Sequence, residues 1–260
     1  MLKIFKYIGA LLCVACSSTC NAATDINGDN NQPCNNSITT LIGNNLGVND
    51  FSPIASACKR WPKDKSMIIA AYAYDSGVEV EYKKSLIVAL VDTNKNKVAA
   101  IYKGKIQEDS ISTVDSLRID TARYDVAPGV RAFGVDVKLS VDIRCAGGGS
   151  GPMRTLYVQE GDSINPILIE HPISRWVYHG GTSPCDDEYE GPEYTENVAF
   201  TIGISKEITN GYYNLAISEL TSYSNSGKTE SKTYEYCYDG KRYVEKNLLL
   251  RGKKPNGAGK

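Results

Sequence analysis

The sequence predicts an all-β fold, closed as an antiparallel sandwich or as partial propeller-like sheets, with a small helical element near the mature N-terminus. Three observations lead there. About ten short segments alternate apolar with polar or small residues, the period of a half-buried strand. Clusters of Asn, Asp, Gly and Pro punctuate them at regular spacing. Almost no stretch repeats its apolar residues at the helical period, which leaves antiparallel strands as the unit of the fold.

Met1 to Lys6 carries two lysines and Tyr7 to Ala15 is apolar and uncharged, the pattern of a secretory signal. Small residues at Cys20 and Ala22 favour cleavage before Ala23; a lipoprotein signal acylated at Cys16 is the alternative. The expected locations are correspondingly periplasmic or secreted, or lipid-anchored to the bacterial envelope. No other apolar run reaches spanning length, so no transmembrane span is expected.

Thr24 to Ser37 is a polar leader in which Asp25, Asn27, Asp29 and Asn31 alternate as oxygen ligands do in calcium loops. Glycine falls at the wrong position and Asn36 stands where a bidentate glutamate belongs, so the stretch is read as a leader and no metal ligands are assigned. Asn36 to Ala57 mixes Leu41, Ile42, Leu46, Val48, Phe51 and Ile54 with Gly and Asn, which suits a short helix and loop.

Strands are then expected at Met67 to Tyr74, Ser85 to Val91 and Lys97 to Tyr102, the last two joined by the polar turn Asp92 to Lys97. Ser116 to Leu139 reads as a central hairpin. Leu117, Ile119 and Thr121 alternate on one arm and Phe133, Val135, Val137 and Leu139 on the other. Pro128-Gly129 provides a fixed φ followed by a residue free to take positive φ. A glycine loop at Arg144 to Pro152 precedes strands at Met153 to Val158, Ile164 to Glu170 and Ser174 to His179. After an acidic loop from Cys185 to Glu193 come strands at Asn197 to Ile204, Tyr212 to Ser222, Thr229 to Tyr238 and Lys241 to Val244. The chain thus divides into a signal at 1–22, a polar leader with a short helix and loop at 23–57, a β domain at 58–247 and a flexible basic tail at 248–260.

The 29 basic against 30 acidic side chains, with no basic stripe, argue against a nucleic-acid binder. Export changes the meaning of cysteine, because an oxidising compartment favours disulfides over thiolate chemistry. Proximity in sequence pairs Cys34 with Cys58 and Cys145 with Cys185, leaving Cys237 over.

No catalytic, cofactor-binding or metal-binding residues emerge. His171 and His179 each sit beside a proline or a glycine pair, without a second ligand at short spacing, and are read as surface or turn residues. Ser150 lies one residue short of a nucleophile elbow and precedes a strand where an elbow needs a helix. The carboxylates Asp186, Asp187, Glu188, Glu190, Glu193 and Glu196 read as a solvated acidic run. Seventeen tyrosines against four phenylalanines is the one compositional excess; strand propensity accounts for it, and a binding surface would also use it.

Cys58-x-x-Trp61-Pro62, Leu117-x-x-Asp120-Thr-Ala-x-Tyr124, Pro128-Gly-x-Arg131-Ala-Phe-Gly134 and Thr155-Leu-Tyr-Val-x-x-Gly161 resemble a group of uncharacterised exported proteobacterial proteins. Asn210 to Ile217 and Tyr236 to Tyr243 are similar to the strands of integrin-type FG-GAP repeats. Thr209-Asn210-Gly211 lacks the carboxylates of their calcium loop. Neither resemblance implies an activity. The function expected is therefore non-enzymatic: an exported protein that binds another protein or an envelope component. The alternatives are an inhibitor or immunity factor for a periplasmic enzyme, and a hydrolase whose site would have to be assembled from Ser150, His171 or His179 and an acidic-loop carboxylate.

Overall fold

The structure is a computed structural model that describes residues 31–48, 50–75, 77, 82–141, 146–182, 185 and 190–248. It is all-β, with two curled sheets, a near-barrel and a half-barrel, antiparallel but for one strand pair in the first, and a short N-terminal helix. The elements run α1 (Asn36–Leu46), β1 (Pro53–Arg60), β2 (Met67–Tyr74), β3 (Lys83–Asp92), β4 (Lys97–Gln107), β5 (Ser112–Ala127), β6 (Val130–Val141), β7 (Gly148–Ser150), β8 (Met153–Glu160), β9 (Ser163–Pro172), β10 (Ser174–His179), β11 (Tyr194–Thr209), β12 (Tyr212–Tyr223), β13 (Thr229–Tyr238) and β14 (Tyr243–Glu245).

The first sheet has the order β1-β2-β3-β4-β9-β8-β6-β5 and curls until β1 packs along β5. The leader seals that junction. Gln32 bridges to Cys58 on the free edge of β1, and the Asn31 side chain accepts the N–H of Ile119 on β5 at 2.6 Å. Side chains alternate inward and outward along each strand. Ile69 and Ala71 of β2, Val88 and Leu90 of β3, Ile119 of β5, Phe133 and Val135 of β6 and Tyr157 of β8 fill the interior, with Trp61 stacked edge-on against Phe133. Outside β1–β3, Ile38 and Ile42 of α1 cover Ile68, Ala70, Tyr72 and Ile87. Asn35 caps α1 by accepting the Ile38 N–H, and Gly47, at φ 69°, ends it.

The second sheet has the order β14-β13-β12-β11-β10-β7. Ile202, Leu215, Ile217, Tyr238 and Tyr243 from it pack on the outward residues Tyr124, Val126, Ala132, Leu156 and Val158 of the first sheet. The β5–β6 hairpin therefore serves two cores: Leu117 and Ile119 face the near-barrel interior, and Tyr124 and Val126, beyond an irregularity between Asp120 and Tyr124, face the second sheet. Its turn is the expected one, with Gly129 at φ 75°.

Two expectations need correction. The loop foreseen up to Ala57 is partly strand, since β1 begins at Pro53; its Ala55, Ala57 and Cys58 are small because a packed wall stands on either side of it. Within the glycine loop, Gly148 to Ser150 forms β7 on the edge of the second sheet, against Arg175 to Val177. Among the described residues no helix is long and apolar enough to cross a membrane.

Candidate functional site

Ile202, Leu215 and Ile217 pack the inner face of the second sheet against the first. Further along the same face, register places Arg175 and His179 of β10, Tyr194 and Glu196 of β11, Glu219, Thr221 and Tyr223 of β12 and Tyr234 of β13 side by side. None belongs to the apolar core between the sheets. The Arg175 guanidinium lies between two carboxylates, 3.7 Å from Glu196 and 3.6 Å from Glu219. His179 Nε2 is 3.2 Å from the other oxygen of Glu196, and its ring stacks on Tyr194 with centroids 4.7 Å apart. Tyr223 approaches Tyr194 edge-on at 6.2 Å.

Glu219 is the more buried partner of this ion pair, at 10% side-chain exposure, against 44% for Arg175. It accepts from the Thr221 hydroxyl at 3.3 Å and from the Tyr234 hydroxyl. The bond to Glu219 holds the Tyr234 phenol above its ordinary value, reinforced by partial desolvation. Tyr223 is raised first by desolvation and then by Glu230, Glu196 and Glu219 around it. The cluster offers one guanidinium and two carboxylates in fixed positions beside aromatic faces, a polar surface with apolar relief of the kind interfaces use.

Sequence reasoning placed Glu196 in a solvated loop and His179 at a turn; the structure brings the two into contact on adjacent strands. Arg175, Glu219 and Tyr234 were not singled out, although alternation along β10, β12 and β13 would have put them on one face. His171 is not a surface residue. It lies half-buried where the sheets meet, edge-on to Phe200 and Tyr236 at 5.3 and 5.7 Å, its Nδ1 bonded to the Pro172 carbonyl.

Ser150 pairs with Arg175, four residues along β10 from His179, a separation of about 13 Å at the strand rise. Ser150 and His179 are therefore not in contact. The Cys34–Cys58 disulfide is formed. Cys185 is disulfide-bonded too, while Cys145, expected to be its partner, lies outside the described residues. So do Cys16, most of the calcium-like stretch, Asp186 to Glu188 and the basic tail. Cys237 is a buried free thiol. Among the described residues, no group of three or more His, Cys, Asp or Glu side chains is placed to hold a metal ion.

Comparison with protein families, curated proteins and solved structures finds no match.

Proposed function

We propose that this is an exported, non-enzymatic binding protein whose partner, a protein or other envelope component, docks on the tyrosine-and-charge face of the second sheet. The observation that carries it is the Arg175–Glu196–Glu219 cluster flanked by Tyr194, Tyr223 and Tyr234 on sheet positions outside the apolar core between the sheets. Tyrosine gives large contact area and a hydrogen-bonding tip at low entropic cost, and rigid strands hold it ready. The disulfides at Cys34–Cys58 and at Cys185 support an oxidising, non-cytoplasmic compartment.

The test is affinity capture from a periplasmic extract with the chain from Ala23 onward, in parallel with a Tyr194→Ala/Tyr223→Ala variant. A partner enriched by the natural chain and reduced at least tenfold by the variant supports the reading, since two interface tyrosines are worth a few kcal/mol together. If the captured partner is an enzyme that the chain blocks, the function is inhibition; if it is an envelope component, the function is structural. Equal capture by both chains, or turnover of a substrate by the purified protein with nothing captured, overturns it.

A further inference from the structure

The wall of the first sheet has one weak seam. β4 and β9 run parallel and meet at a single register pair, Ile101 with Ser163, tied by the Ile101 N–H to the Asp162 carbonyl at 3.2 Å. Past that point β4 continues to Gln107 paired with β3, and β9 continues to Pro172 paired with β8. Between the two lies a cavity of about 190 Å³. Leu86, Ile106, Val137, Leu139 and Met153, all from strands of the near-barrel, give it an apolar lining, and Lys105 and Gln107 of β4 also border it.

The opposite side is polar and ordered. Tyr102 and Tyr157 lie with ring centroids 5.2 Å apart. The Tyr157 hydroxyl bonds to Thr155, and Thr155 Oγ1 accepts the Glu170 N–H at 3.1 Å. Glu170 is held at φ 49°, a left-handed conformation that costs a non-glycine residue on the order of 1 kcal/mol. Its carboxylate lines the cavity close enough to both phenols to add to the effect of burial on them. Gly104 contributes by what it lacks. A Cβ there would come within 2.5–2.8 Å of the Tyr102 ring, so glycine allows that ring to fold back along β4 and leave the cavity clear.

We propose that this seam is a binding site for a small, uncharged monocyclic aromatic molecule bearing a hydroxyl or amide donor. Size sets the first limit: a dry apolar cavity of about 150 Å³ takes benzene, so 190 Å³ admits one ring with a small substituent. Apolar walls with a few polar groups converging at one side are the usual make-up of such sites. Charge sets the second. Glu170 and Lys105 both line the cavity, so it carries no net charge to offset the cost of burying an ion, and the donor substituent faces the Glu170 carboxylate beside the two phenols while the ring lies against Leu86, Ile106 and Leu139. This site is separate from the second-sheet face, and neither depends on the other.

Benzamide and benzoate have the same shape and differ in charge, which makes them the probes. In titrations followed by amide NMR of the whole mature chain, benzamide and phenol are expected to saturate, with the largest shifts at Tyr102, Gly104, Thr155 and Glu170. Benzoate is expected to bind at least tenfold more weakly, and Glu170→Gln to reduce that discrimination several-fold. Leu139→Trp, at a half-buried rim position, should fill the cavity and abolish benzamide binding with little change in thermal midpoint. Should that variant unfold, the shift map of the natural chain still locates the site. No saturation by benzamide or phenol at 10 mM, roughly the weak limit for so few atoms, overturns the proposal. Shifts elsewhere or benzoate binding as well as benzamide would overturn it equally.

Discussion

Arg154 grips Asp136 with both arms of its guanidinium, Nε to Oδ1 at 2.6 Å and Nη2 to Oδ2 at 2.9 Å, and the aspartate is only 2% exposed. Arg118 binds the same carboxylate at 3.0 Å, while Arg154 also pairs with Asp120 and reaches the Tyr124 hydroxyl, which donates to Asp120 at 2.7 Å. Removing one partner of such a pair leaves an uncompensated buried charge, whereas replacing both by apolar groups can be close to neutral. Asp136→Ala should therefore lose about 3 kcal/mol in urea unfolding, Asp120 remaining to offset part of the charge. The double variant Asp136→Leu/Arg154→Met should lose less than the single one.

Titration of His171 should be visible in stability. Burial holds its imidazole below the ordinary value of about 6.5, with the Pro172 carbonyl acting the other way and Arg154 reinforcing the depression. The unfolded chain then binds a proton that the folded chain refuses. Stability from this residue is complete above about pH 6.5 and declines as pH falls from there toward the depressed folded value. Urea midpoints at pH 7.5 and 5.5 should differ by less in His171→Gln than in the natural chain. An unchanged difference would assign the pH dependence to other groups.

What was legible in the sequence follows from which physical signal each element carries. Met67 to Tyr74 and Ser85 to Val91 are apolar on both faces because they lie between the near-barrel interior and α1, and such runs announce themselves. β1 does not: Ala55, Ser56, Ala57 and Cys58 are small, and a strand crossing beneath a helix needs small residues that propensity scales read as weak. The ion network was hidden for the opposite reason. Arg118, Asp120, Asp136 and Arg154 look like ordinary solvent-face charges in three separate strands, and only register across β5, β6 and β8 stacks them into one row. The same holds for Arg175, Glu196 and Glu219. Curling of the first sheet, and with it the β4–β9 seam, depends on one parallel pair and leaves no local mark.

Two glycines of the central hairpin should respond to substitution for different reasons. At Gly129 nothing lies within 4 Å of an added Cβ, yet φ is 75°, so Gly129→Ala should cost about 1 kcal/mol from backbone strain alone. At Gly134 an added Cβ would sit 3.2 Å from both Arg154 Cδ and Asp120 Cβ. Gly134→Val should cost more than Gly129→Ala because it pushes Arg154 off Asp136, and the excess should shrink when Arg154 is already methionine. A double-mutant cycle in urea checks this; an undiminished excess would mean the guanidinium is not what the glycine accommodates.

The leader should behave as part of the near-barrel wall. Ile119 is fully buried and its N–H finds the Asn31 side chain, so Asn31→Ala should cost about 1–3 kcal/mol for the stranded donor. The Cys34–Cys58 bridge closes a loop of sequence separation 24, for which chain entropy gives about 3 kcal/mol. These contributions share a cause. Once Cys34→Ser/Cys58→Ser releases the leader from β1, Gln32 and Asn31 are held only by their own hydrogen bonds, and Asn31 then has less to lose. The triple variant should be destabilised by less than the two changes summed, by on the order of 1 kcal/mol. Hydrogen exchange at Ile119 provides a local check, with protection falling in either variant. If the losses add fully and Ile119 keeps its protection without the bridge, Asn31 is anchored by something other than the disulfide-tied leader.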